Sequence, residues 1–408
     1  MTATLVPQCD PDTVGFDPGR LARIDAHFRT YVDDGRLPGW SLLVARDGKI
    51  AHTARYGLRD MEVGAPVEPD TVFRIYSMTK PVTSIAAMML YERGLFQLTD
   101  PIARYLPEFA DMRVYIGGPD LKPVTVPATE PIRVWHLLTH TSGLTYGFHR
   151  VHSVDAMYRA GGYEWATPDG VDLADAVKAF ASYPLLFQPG AEWNYSVSTD
   201  VLGRLVEVLA GTSLDRFFAE EIFTPLGMHD TTFDATPLAD RLAALYVPYN
   251  GGLLRHNTLG DGIMGPTFLS GGGGLASTLT DYHRFTQALR GGGAVDGVRL
   301  VSPRTLAYMT RNHLPGDADL AAFGRPIFAE TPFDGVGFGL GFAVVLDPVA
   351  AHALGSAGEF NWGGAASTGF WVDPVEDITA VFMTQLLPSS TYPLRAQLRQ
   401  LVYGALVE

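Results

Sequence analysis

Cysteine is almost missing from this chain. Among 408 residues only Cys9 occurs, so no internal disulfide can staple the fold, and a reducing compartment suits the sequence. Cys9 is also a poor nucleophile, because it stands between Pro7 and Pro11 in an N-terminal stretch expected to fray. Long apolar runs are absent too: the stretch Ile85 to Leu90 falls far short of the about 20 residues that cross a bilayer. Met1 to Gln8 show no basic segment followed by an apolar one, so no secretory signal is read and the cytoplasm is the expected location. Basic residues are outnumbered, with 30 Lys and Arg against 44 Asp and Glu and a net charge of −14, which argues against nucleic acid or an anionic membrane as a partner.

What is present is globular: 47% of residues are hydrophobic, 18% charged and 11% aromatic. The length suits two intimately packed domains. Leu21, Ile24, Phe28, Tyr31 and Val32 recur at helical spacing and Gly35 follows as a cap, which predicts a first helix. Trp40 to Ala45 and Ile50 to Arg55 read as strands joined by a tight Asp47-Gly48 turn. A second strand series is predicted at Gly337 to Leu346, Glu359 to Ala365, Gly369 to Val372 and Ile378 to Leu386, and a last helix carries Leu394, Leu398, Leu401, Val402 and Ala405 on one face. Helical patterns dominate between these ends, at Val82 to Glu92, Val134 to Leu138, Leu173 to Ser182, Val201 to Leu209 and Leu214 to Phe223. The expected architecture is therefore α+β: an antiparallel sheet flanked by helices, built from residues 1–76 and 260–408, with an all-helical domain, 77–259, inserted and the active site at the junction. The glycine clusters Gly271 to Gly274 and Gly291 to Gly293 lack the strand-then-helix setting of a phosphate loop and are read as turns or close packing.

The segment Phe73-Arg-Ile-Tyr-Ser77-Met-Thr-Lys80-Pro81 carries the chemistry. Proline is tolerated only in the first turn of a helix, so Pro81 and the apolar face Val82, Ile85, Ala86, Met89 and Leu90 place a helix start near Ser77. Backbone N–H groups there lack intrahelical partners and the helix dipole is positive, which suits a developing oxyanion. Lys80, three residues on, projects from the same face and can take the Ser77 proton. Ser-x-x-Lys alone is a weak signal, since a helix cap with a solvated lysine has the same spacing.

The chain resembles the serine β-lactamase and penicillin-binding-protein superfamily, and within it the class C β-lactamase-like carboxylesterases known as family VIII esterases. Beyond the Ser77/Lys80 pair, the likeness rests on Leu137-Leu-Thr-His-Thr-Ser-Gly-Leu144, Phe187-Gln-Pro-Gly-Ala-Glu-Trp-Asn-Tyr195-Ser196, Pro225-Leu-Gly-Met228 and Gly271-Gly-Gly-Gly-Leu-Ala-Ser277, all in family order. The resemblance implies a β-lactamase/transpeptidase-like fold and Tyr195 as the second catalytic element, in a Tyr-x-Asn motif reading Tyr195-Ser196-Val197 here. A phenol is a poor base unless a nearby cation favours its ionised form, a charge that Lys80 is placed to supply. The family's third triplet, Lys-Thr-Gly, corresponds to Trp362-Gly363-Gly364; the two glycines are expected to admit substrate near the backbone, and the N–H of Ala365 to join that of Ser77 in an oxyanion hole.

Two departures bear on substrate. Trp362 stands where the family has a cationic lysine, and Val197 where it has an amide, so the resemblance implies a neutral ester of short-to-medium acyl length in place of a carboxylate-bearing lactam. A carboxylesterase that needs no cofactor is expected, with acyl transfer to an alcohol, β-lactam hydrolysis and D-amino-acid peptidase activity as alternatives. His136 and His140 have the spacing of a zinc pair, but Leu137 occupies the position a metalloprotease gives to Glu, and no third ligand suggests itself, so no metal is expected. No serine has glycines at both −2 and +2, which disfavours the α/β-hydrolase elbow. The loops Tyr146 to Thr167 and Gly316 to Thr331 are expected to shape the acyl and alcohol pockets.

Overall fold

Both ends of the chain supply one eight-stranded sheet. Across it the strands run Val336–Phe338, Ala343–Val345, Phe360–Gly363, Gly369–Asp373, Ile378–Thr384, Gly39–Arg46, Lys49–Asp60 and Ala65–Pro66, each neighbouring pair antiparallel. The computed structural model describes residues 5–165, 167–257 and 262–407. The two halves of the sheet join where Gly39–Arg46 lies beside Ile378–Thr384, with Trp40 opposite Thr384 and Arg46 opposite Ile378. The first hairpin closes through Asp47 and Gly48 at φ of 53° and 74°, both left-handed, as an Asp-Gly turn between twisted strands requires.

Gly39–Arg46 is buried on both faces, so its side chains divide between two cores. Trp40, Leu42 and Val44 pack with Leu21, Ile24 and Phe28 of the helix Pro18–Asp33 and with Leu394, Leu398 and Val402 of the helix Leu394–Tyr403. Leu43 and Ala45 join the larger core on the opposite face, with Leu279, Phe285 and Leu289 of the helix Leu279–Arg290. The same core takes in the helix Thr79–Glu92, whose residues Thr79 to Leu90 are all buried. A helix covered all round is fixed by tertiary packing, and this one holds the Ser77 turn steady. The helix Ser198–Ala210 packs against it.

Some expected elements are divided differently. Gly337 to Leu346 is a hairpin of Val336–Phe338 and Ala343–Val345; its turn includes Gly341 at φ 94°, where a side chain would collide with Ser84. Leu214 to Phe223 splits into an α-helix, Leu214–Phe218, and a π-helical turn, Ala219–Phe223. The helical stretch also carries two short hairpins, Arg113–Gly117 with Val124–Pro127 and Tyr246–Tyr249 with Gly252–Arg255, so it is not all-helical. The boundary expected between residues 259 and 260 lies outside the described residues. No helix among the described residues is long and apolar enough to cross a membrane.

Candidate active site

Ser77 is delivered by a strand and a strained turn. Val72–Arg74 pairs with Ala276–Thr278, and the chain then turns through Tyr76, held at φ 43°. An aromatic residue occupies that left-handed region only when its surroundings over-determine it, at a cost of about 1–3 kcal/mol. One 3₁₀ turn, Tyr76–Met78, leads directly into the helix Thr79–Glu92, so Ser77 sits at the helix mouth as expected, 8% exposed.

The structure brings Ser77, Lys80 and Tyr195 together. The Tyr195 hydroxyl donates to Ser77 Oγ at 2.6 Å. Lys80 Nζ lies 3.2 Å from the same oxygen and donates to the Gly272 carbonyl at 2.7 Å. Tyr195 is held by its neighbours: the Asn194 backbone N–H donates to the His140 carbonyl, the Asn194 amide side chain donates to the Leu144 carbonyl, and His149 Nε2 lies 2.7 Å from the Tyr195 carbonyl. Two of the segments that resemble the family's are thus tied to each other, which accounts for the rigidity of the phenol.

Burial separates the proton affinities of the two candidate bases. It pulls the Lys80 ammonium down to about 7, against the pull of the Asp200 and Glu330 carboxylates. It pushes the Tyr195 phenol well above its ordinary value, reinforced by Glu330. The Trp362 indole N–H faces that phenol closely enough to favour its anion, though it forms no hydrogen bond. Near neutrality, then, Lys80 is the group able to lose its proton and Tyr195 remains a hydroxyl donor. Lys80 also sits 4.5 Å from the Tyr195 ring centre and 5.3 Å from that of Tyr146.

Trp362 is buried against Tyr195 and Phe338, with ring centres 5.5 and 5.4 Å apart, and makes an apolar wall where a cation would attract a carboxylate. Gly363 and Gly364 have a different use from the one expected. A side chain at Gly363 would collide with the Arg395 guanidinium, and one at Gly364 with the Ile75 carbonyl, so protein fills the space that both glycines leave. Arg395 donates to the Gly364 and Thr368 carbonyls at 2.8 and 2.9 Å and so ties together the two ends of the turn that follows Gly363. Ala365 packs beside Tyr76. Among the described residues neither the Ser77 nor the Ala365 backbone N–H is bonded to an acceptor, so both are free to face one. Val197 caps the helix Ser198–Ala210 and is buried, offering no polar group.

His136 and His140 are both committed elsewhere. His136 Nδ1 accepts the Arg133 backbone N–H, while His140 lies against the Tyr195 ring with Nδ1 3.2 Å from Ser196 Oγ. No group of three or more His, Cys, Asp or Glu able to hold a metal occurs among the described residues. The sequence reading missed several residues that surround Lys80. Asp200, in the first turn of the helix that follows Tyr195, accepts from Ser270 Oγ at 2.6 Å and from the Gly272 N–H at 3.0 Å. Glu330 pairs with Arg395 at 2.8 Å. The glycine cluster read as a plain turn thus supplies the carbonyl that Lys80 binds; the cluster itself was the available signal. At the mouth, Trp165, 42% exposed, stacks on Phe148 at 4.4 Å, and Phe148 on Tyr146 at 4.6 Å, giving an aromatic ladder that ends on Tyr195.

Known proteins resemble this chain over nearly its whole length. The chain is 34% identical to esterase EstB of Burkholderia gladioli over 97% of its own length and 98% of the relative's. Among solved structures, EstCE1, a hydrolase with promiscuous acyltransferase activity, superposes with a TM-score of 0.80 at 28% identity, covering 95% of this chain and 99% of its own. Simvastatin synthase LovD of Aspergillus terreus superposes with a TM-score of 0.79 at 26% identity, covering 94% and 97%. The family model described as beta-lactamase matches residues 24–404. With nearly its whole length matched, this chain belongs to the beta-lactamase family.

Proposed function

We propose that the protein is a serine carboxylesterase that hydrolyses neutral esters with an apolar portion through an acyl-enzyme on Ser77. The observation that carries this reading is the Ser77 hydroxyl held between the Lys80 amine at 3.2 Å and the Tyr195 hydroxyl at 2.6 Å. Neutral Lys80 accepts the Ser77 proton as Oγ attacks the ester carbonyl carbon. The carbonyl oxygen becomes an oxyanion received by the N–H groups of Ser77 and Ala365; losing one such donor costs about 2.7–4 kcal/mol of transition-state stabilisation. As the carbon–oxygen bond to the alcohol breaks, the proton held on Lys80 passes by way of Tyr195 to the leaving alkoxide. Water, activated by the same pair, then releases the acid.

The wall supports a neutral ester over a β-lactam, since Trp362 supplies no cation and Glu330 lies near Lys80 and Tyr195. The aromatic ladder adds an apolar approach that favours acyl transfer to an alcohol as a second outcome, in keeping with the described activity of EstCE1. Ser77→Ala is expected to abolish both p-nitrophenyl butyrate turnover and fluorophosphonate labelling with the fold retained; retained turnover would move the nucleophile elsewhere. p-Nitrophenyl butyrate is expected to be turned over much faster than nitrocefin, and the reverse ranking would contradict the neutral-ester assignment.

A further inference from the structure

We infer that Asp200 is a positioning residue whose carboxylate, by anchoring Gly272 and by its charge, sets where Lys80 sits and how tightly it holds its proton. The inference rests on the reading that Lys80 takes the Ser77 proton. Three observations carry it. Asp200 is 3% exposed and accepts the Gly272 N–H at 3.0 Å, while the carbonyl of that same residue accepts from Lys80 Nζ at 2.7 Å. One residue is therefore anchored by the carboxylate on its N–H side and presents its carbonyl to the amine, so Asp200 fixes the position of the acceptor that Lys80 binds. Gly272 can only be glycine in this arrangement: a Cβ there would stand 2.7 Å from Asp200 Oδ2 and 3.0 Å from Tyr146 Oη. Burial raises the Asp200 carboxyl above its ordinary value; the hydrogen bond from Ser270 Oγ at 2.6 Å and the first turn of the helix Ser198–Ala210 work against that rise.

Among the other groups around Lys80, Glu330 also pulls on its proton, but from a carboxylate that has a cation of its own and, among the described residues, makes no bond to Gly272. Glu330 is paired with Arg395 at 2.8 Å and takes a hydrogen bond from Ser389 at 2.9 Å. His140 and His149 are driven toward the neutral form by burial, and Tyr146 and Tyr195 are held as phenols. Asp200 has no Lys or Arg within ion-pair distance among the described residues, so its charge is left to act on Lys80. A carboxylate in direct contact would hold the ammonium firmly protonated. One set back behind Gly272 keeps the amine in place while leaving it able to give up a proton near neutrality.

The test is the pH profile of kcat/KM for p-nitrophenyl butyrate, in wild type, Asp200→Asn and Asp200→Glu. Asn retains the hydrogen-bond acceptor and removes the charge, so Lys80 deprotonates more easily and the acid limb is expected to move down by about one pH unit or more. Asp200→Glu retains the charge and is expected to keep the wild-type limb with a lowered plateau. A folded Asp200→Asn variant whose plateau falls while its limb stays, or moves up, would overturn the inference. Should Asp200→Asn fail to fold, Asp200→Ser is the second charge deletion, with the same expected shift and the same contradiction. Failure here is distinguishable from failure of the esterase reading: Ser77→Ala abolishing turnover while the Asp200→Asn limb stays fixed sinks only the inference.

Discussion

Two clusters of buried charge lie on opposite sides of this molecule's chemistry. Beneath the helix Leu394–Tyr403, Arg399 donates to Glu359 Oε1 at 2.6 Å, and the Tyr403 hydroxyl lies 2.6 Å from Asp373 and 3.1 Å from Glu359. Burial pushes Glu359 up to about 7, the same region to which it pulls Lys80 down. Yet only Lys80 touches the proposed nucleophile, Ser77, and it makes no direct ion pair with a carboxylate among the described residues. Proton affinity near neutrality is thus insufficient for catalysis. What distinguishes the two sites is direct pairing: Glu359 has its counter-charge in contact, whereas Gly272 stands between Lys80 and Asp200.

Deleting one charge from each cluster should separate them. Lys80→Met is expected to lower kcat/KM by about 10²–10⁴-fold with the fold retained, because it removes the proposed general base while Asp200 keeps its hydrogen bonds from Ser270 and Gly272. Arg399→Met should do the opposite: it strands Glu359, costs about 3–5 kcal/mol of stability by denaturant titration, and leaves kcat/KM near wild type. Equal loss of activity in the two variants would end the distinction. Next in size is Gly364→Ala, which collides with the Ile75 carbonyl and displaces the Ser77 turn; an ångström of misplacement corresponds to about 10²-fold in kcat.

A smaller effect concerns pH and stability. Glu359 has its folded value raised to about 7, so its contribution is fully present below the ordinary carboxylate range and is lost as pH rises through 7. The stability difference between wild type and Glu359→Gln, which stays neutral, followed by denaturant titration, should therefore shift against wild type from pH 5 to pH 8, by about 2–3 kcal/mol. A constant difference would show that Glu359 does not titrate there. The smallest change expected is Trp165→Ala at the mouth, where losing one stacked ring is worth about 0.5–1.5 kcal/mol and should raise KM for aryl esters a few-fold while sparing acetate esters.

What could be read from the sequence follows the range of the interactions. Ser77 and Lys80 were legible because they are three apart at a helix start that Pro81 marks, and the Asp47-Gly48 turn because two adjacent residues define it. Tyr195 could be named only through family resemblance, since 118 residues separate it from Ser77. Asp200 and Gly272 stayed hidden for the same reason: 192 residues separate Gly272 from Lys80, and nothing in a run of glycines says which carbonyl meets an amine. The hairpin at Gly337 to Leu346 was read as one strand because Phe338, Leu340, Phe342 and Val344 alternate straight through its turn. The glycines beside Trp362 were given an open approach because what fills their space, Arg395 at Gly363 and the Ile75 carbonyl at Gly364, comes from distant parts of the chain.

The most direct measurement of the central claim is the rate of fluorophosphonate labelling of Ser77 between pH 5.5 and 8.5, in wild type and Lys80→Met. If neutral Lys80 takes the Ser77 proton, the wild-type rate climbs with an apparent pKa near 7 and the climb vanishes in the variant. A flat wild-type profile, or the same climb in Lys80→Met, would contradict it.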